Sequence, residues 1–176
     1  MSASRHIAVL FHENSLRRDL AGSVVFHMAP YWREAGHRVT FLRGTKRFVP
    51  ADLLFVHVNL SVVPDEYLDF AARYPAAVNH HAKDIRKSRI SENLVRPGTD
   101  WQGPVIVKSD LNFGGEPEFW LGASRILRWS RAGRFLLRLG PRRRRLSPLP
   151  DWNAYPIFER IDAVPDALVH DSRVVI

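Results

Sequence analysis

The sequence predicts an α/β protein whose first part is a parallel sheet with βαβ connectivity. Two observations predict it. Short apolar runs are continuous rather than alternating, as expected of strands buried on both faces. Stretches of helical periodicity separate them, with turn residues at the joins, and that alternation is the pattern of crossover connections in a parallel sheet. At 176 residues the chain is long enough for one solid core or two small subdomains.

Arg5–Phe11 is the first strand. From Ser15 to Ala35 apolar residues return at helical spacing (Leu16, Leu20, Val24, Val25, Met28, Tyr31, Trp32), with Ser15 as N-cap and Gly36 as the C-terminal stop. His37–Leu42 is the second strand and Asp52–Val58 the third. Pro64 at the first helical position, with Asp65 and Glu66 in the first turn, opens a helix through about Tyr74. Ala76–Val78 is a short fourth strand, and the first subdomain, 1–79, ends there.

The second part, 80–176, has a different character. Asp84–Val95 reads as a charged helix and Val105–Lys108 as a strand, with Pro97-Gly98 and Gly103-Pro104 punctuating the loop between them. Asp110–Pro117 is a polar, glycine-containing loop, and Phe119–Leu139 a basic amphipathic helix inside a segment spanning 119–150. Tyr155–Glu159 follows as a strand, Val164–Val169 as a short helix, and Val174–Ile176 as a further strand.

Charge is distributed unevenly. Nine arginines and no acid lie between Phe119 and Arg145, more than the whole net charge of +8, so the basicity is one local feature. Such a segment fits a lid or insertion. Its rival role is contact with nucleic acid or an anionic membrane. With no cysteine, thiolate metal sites and cysteine nucleophiles are excluded. No secretory signal and no run near the ~20 apolar residues of a membrane span is present, so a cytoplasmic protein is expected.

Several chemistries are excluded by their motifs. His12-Glu13-Asn14-Ser15 follows the first strand where a dinucleotide fold needs glycines. No P-loop, His-Glu-x-x-His or nucleophile elbow occurs. His80 and His81 lack a third partner and, as sequence neighbours, should point apart, so no metal site is expected. His57 reads as a satisfied core residue, whereas His12 and Glu13, at the end of a first parallel strand, are candidates to touch a substrate.

The remaining candidate is Gly103–Glu118, an apolar strand that ends in Lys108 and runs into Ser109, Asn112, Gly114 and Gly115. A lysine ammonium supplies a point charge for phosphate oxygens, and adjacent glycines allow backbone N–H groups to cradle them. Asp110, Glu116 and Glu118 are expected to cap turns or face solvent rather than bind Mg²⁺. Upstream, Asn79 after a strand precedes Asp84 and Lys87.

Together these segments resemble the ATP-grasp superfamily, in which an Asp-Lys pair opening a helix and a later strand-ending lysine with a glycine loop grip ATP. The resemblance implies a partial ATP-grasp α+β subdomain over 80–176, with Lys87, Lys108, Ser109, Asn112, Gly114 and Gly115 binding ATP. The Asp-Lys pair is spread out here, so Lys83 competes with Lys87. It further implies Mg²⁺ with the nucleotide and ATP-dependent joining of a carboxylate to an amine or similar nucleophile. The family's acidic hinge residue, Mg²⁺-binding carboxylates and Asn would lie beyond Ile176, so this stretch is expected to carry the phosphate grip without the catalytic half. A glycosyltransferase-like domain, binding a nucleotide sugar, is an alternative.

Overall fold

Strand β1 (His6–Phe11) occupies the middle of the sheet, and all six of its residues are buried. The computed structural model describes residues 3–123, 130, 133, 135, 147–149 and 155–176. On one side of β1 lies β2 (Arg38–Arg43); on the other lie β3 (Leu53–Val56) and then β4 (Ala77–Val78). The order is β2-β1-β3-β4 with every pairing parallel, so the expected α/β class with a parallel βαβ sheet is present.

Because successive side chains of a strand point to opposite faces, β1 feeds two cores. Ile7, Val9 and Phe11 pack with Leu20 and Val25 on one face. Ala8 and Leu10 pack with Leu54, Val56, Tyr67, Phe70 and Ala71 on the other. The helices behind these contacts are α1 (Arg17–Ala21), α2 (Val24–Glu34) and α3 (Asp65–Ala71).

The single helix expected over 15–35 is therefore two. Gly22 and Ser23 interrupt it: the Ser23 hydroxyl donates to the Leu20 carbonyl (2.6 Å) and accepts the Phe26 N–H (3.3 Å), which makes Ser23 the N-cap of α2. A serine hydroxyl competes with the helical ladder in this way, and glycine beside it lowers the resistance to a break. Ser15 does not cap; it is buried in the turn leaving β1, its N–H donating to the His12 carbonyl. Pro64 likewise sits at the N-cap of α3 rather than inside it. Gly44, just after β2, packs closely on the chain leaving β1. Its φ is +66°, and a Cβ there would lie 2.8 Å from the Cβ of Glu13.

Beyond β4 the predicted helix over 84–95 is reduced to α4 (Lys87–Ile90). The Asp84 carboxylate accepts the Arg86 N–H (3.1 Å) and binds its guanidinium, a local turn that holds this stretch out of the helix. Asp84 also bridges antiparallel to Val62. The strand expected at Val105–Lys108 changes partner midway. Its first half, β5 (Val105–Ile106), pairs antiparallel with β7 (Ile157–Phe158), and β6 (Lys108–Ser109) with β8 (Val174–Val175). Val105, Val107, Leu149 and Val164 form the small core beneath, next to α6 (Asp166–Val169).

The glycine loop is a 3-10 turn over Asn112–Gly115 leading directly into α5 (Glu116–Leu121), so the helix expected to begin at Phe119 begins three residues earlier. The rest of the arginine-rich segment lies outside the described residues, apart from isolated positions. Among the described residues no helix is long and apolar enough to cross a membrane.

Ser61 ties the two regions together. It is almost fully buried, and its N–H donates to Glu118 Oε1 (2.6 Å). Its hydroxyl accepts the Asn112 N–H (2.9 Å) and its carbonyl the Ile85 N–H (2.8 Å). Asn14, just after β1, adds a bond from its amide to the Leu121 carbonyl (2.8 Å).

Candidate functional site

The order β2-β1-β3-β4 places a reversal between β1 and β3. From β1 the chain moves outward to β2, then returns to the other side of β1 and moves outward again to β4. Connections on the two sides of such a point leave a gap at the carboxyl ends of the strands, which is where open α/β sheets bind ligands. A crevice of about 710 Å³ lies there, within the size range of small-molecule sites. Phe11 and His57 come to it from the ends of β1 and β3, Arg18 and Asp19 from α1, and Glu116 and Trp120 from α5.

His57 is the most informative lining residue. It is half-buried, its backbone N–H donates to the Leu10 carbonyl (2.8 Å), its ring sits edge-on to Phe11 at 5.1 Å, and among the described residues the ring itself has no hydrogen-bond partner. Burial lowers its pKa, so at neutral pH the imidazole is uncharged, with one donor and one acceptor facing the crevice. This corrects the expectation of a satisfied core histidine. Asn59, two residues on, is exposed on the same wall. Opposite, Trp120 Nε1 donates to Glu116 Oε1 (3.1 Å). Asp19 accepts the Leu16 N–H (2.8 Å) and stands 3.7 Å from the Arg18 guanidinium.

One lining residue is strained. Phe113 adopts φ 50°, a left-handed conformation that disfavours a residue with a bulky side chain, and its ring is largely exposed at the rim. Gly114 and Gly115 continue the left-handed turn at φ 63° and 77°, so these glycines are used for conformation.

The residues predicted to grip phosphate lie on the far side of that turn. Lys87 is half-buried and its ammonium donates to the Leu111 carbonyl (2.9 Å). Its pKa is lowered, first by burial and also by the positive charge of Lys108, while Asp110 and Glu118 oppose the shift. Lys108, on β6, holds its ammonium 5.4 Å from the Tyr155 ring centroid. Lys83, the competing lysine, pairs instead with Asp65 on α3.

Ser109 is buried and donates to the Leu111 carbonyl (3.0 Å), and the Asn112 N–H is committed to Ser61. Asp110 accepts both the N–H (2.7 Å) and the hydroxyl (3.0 Å) of Ser88, capping α4 as expected of a turn-capping acid. Glu118 departs from that expectation. Rather than facing solvent, it has Oε1 on the Ser61 N–H and a buried Oε2 without a hydrogen-bond partner among the described residues.

His12 stacks on Tyr67 (5.5 Å, 24°), and Glu13 donates its N–H to the Tyr67 hydroxyl (3.0 Å), so neither lines the crevice. His80 and His81 do not point apart; their ring centroids are 3.7 Å from each other, and His80 is bound to the Ala77 carbonyl.

Two signals in the sequence could have located the crevice. His57 and Asn59 follow a buried strand, and Glu116-Pro117 is a helix start masked by the glycines before it. Set beside models of known protein families, curated proteins and solved structures, the chain matches none.

Proposed function

We propose that this chain binds ATP in the ATP-grasp manner, with Lys87 and Lys108 holding the phosphates beside the Ser109–Gly115 segment. The observation that carries this reading is the shared field of the two lysines. They come from separate elements, α4 and β6, and stand near enough for the charge of Lys108 to act on Lys87, whose pKa is lowered mainly by burial, with Asp110 acting against the shift. A triphosphate beside them would reverse that penalty, because opposite charge favours the protonated amine. The carbonyl contacts of Lys87 are of the kind an anionic oxygen replaces readily, since a charged acceptor makes the stronger bond.

In the family-level reaction ATP activates a carboxylate as an acyl phosphate, which an amine or similar nucleophile then attacks. In this reading the crevice between β1 and β3 holds the second substrate, with neutral His57 and Asn59 orienting it. Among the described residues no three His, Asp or Glu side chains converge on a point. Mg²⁺ would therefore enter on the nucleotide's own oxygens. An ATP-dependent reaction goes with a cytoplasmic location.

Titration of the full chain with ATP tests the reading. Lys108→Ala should weaken binding by about tenfold or more, the value of one charge-assisted contact. Equal affinities for wild type and variant would remove the lysine grip. Binding of a nucleotide sugar in preference to ATP would favour the glycosyltransferase-like alternative.

A further inference from the structure

A second depression, of about 460 Å³, lies across α1 from the crevice. Arg17 from α1, Arg43 from the end of β2 and Arg47 from the following loop converge on it, and no acidic residue lines it. None of the three guanidiniums has an ion-pair partner among the described residues. All three are exposed, in contrast to Arg86 and Arg173, which lie folded onto Asp84 and Asp171. The floor is apolar. Phe26 and Phe41 stack there at 5.4 Å and 26°, with Leu20 beside them; Leu42 lines the hollow from β2, its side chain buried in the α3-facing core.

We propose that this depression is a binding site for a small phosphate ester with an apolar or aromatic organic group. Three like charges around one hollow repel one another, and an anion in their midst converts that repulsion into attraction. A carboxylate carries one charge on two oxygens, which a single arginine fork satisfies. Three forks match a phosphate monoester, with about two charges on three terminal oxygens. The paired phenylalanine rings offer a flat apolar surface to the ester's organic part. The volume sits within the range of small-molecule sites. The site is independent of the lysine grip, since α1 and the sheet edge build it.

The test is residue-resolved binding to the full chain, followed by NMR at constant ionic strength, with AMP, inorganic phosphate and adenosine as probes. AMP should move the amides of Arg17, Leu42 and Arg43, phosphate should move the same amides more weakly, and adenosine should leave them in place. A triple variant, Arg17→Gln with Arg43→Gln and Arg47→Gln, should lose at least about tenfold in AMP affinity at this site. Because the three side chains are exposed, the variant should keep its fold, and unchanged spectra in the two sheet cores will verify that. Three results overturn the proposal: equal AMP affinity in the triple variant, adenosine acting as well as AMP, or these amides responding to an oligonucleotide alone.

Discussion

Strand β1 buries six consecutive side chains between two helical layers, whereas each strand from β5 to β8 is two residues long and rests, among the described residues, on a core of four buried ones. The parallel sheet is held by apolar burial on both faces, which grows with every residue added to a strand. The described residues of the β5–β8 region show less of that. That region is held to the sheet by polar bonds converging on Ser61, Asn14 and the 61–63/83–85 pairing. Among the described residues, the first region is held by its own apolar burial, and the second adds polar attachments to that sheet.

The largest effect should come from breaking the first. Leu10→Ala, at a fully buried position, removes side-chain volume from the α3-facing core and should cost about 2–5 kcal/mol. Urea denaturation will measure it, and the whole chain should unfold at lower denaturant. Val107→Ala, also fully buried, should instead reduce hydrogen-exchange protection in β5–β8 while leaving the β1 amides protected. Equal loss of protection in both regions would erase the distinction.

Next is the joint between them. Glu118→Ala leaves the buried Ser61 N–H without its acceptor, a loss of about 1–3 kcal/mol. The exchange rates of α5 and β6 should rise with it. A variant as stable as wild type would mean that burying Oε2 of Glu118, unpartnered among the described residues, costs as much as the bond gains.

The smallest effect concerns His57. Burial depresses its folded-state pKa below the ordinary 6.5, so the fold resists protonation. The corresponding stability is complete above pH 6.5 and declines as pH falls below it, until the folded-state group also titrates. Any ligand held by the neutral imidazole should weaken over the same acid range. Its ring proton titration, followed by NMR, should have a midpoint below 6.5; a midpoint at or above that value would return His57 to an ordinary solvated side chain.

The parts of the fold legible in the sequence are those set by local chemistry. Continuous apolar runs marked β1, β2 and β3 to within a residue or two, and Gly36 marked the end of α2 through its positive φ. Where a polar side chain competes with the ladder, periodicity misled: Ser23 split one helix into two, and Asp84 folded Arg86 into a turn where a three-turn helix was expected. Of the predicted site, Lys87 and Lys108 do come into one field, but Ser109 and the Asn112 N–H are spent on internal bonds.

The sequence by itself determined that the first part of this α/β chain is a parallel sheet, because burial on both faces writes itself as unbroken apolar runs. It also displayed the lysines and glycines on which the proposed phosphate grip rests. Only the tertiary structure decided where a ligand can enter. The reversal between β1 and β3, the approach of Trp120 to His57 across some sixty residues of chain, and the meeting of Arg17 with Arg43 and Arg47 all depend on strand order. Strand order is fixed by how the helices pack on the sheet, and no local pattern in the chain encodes it.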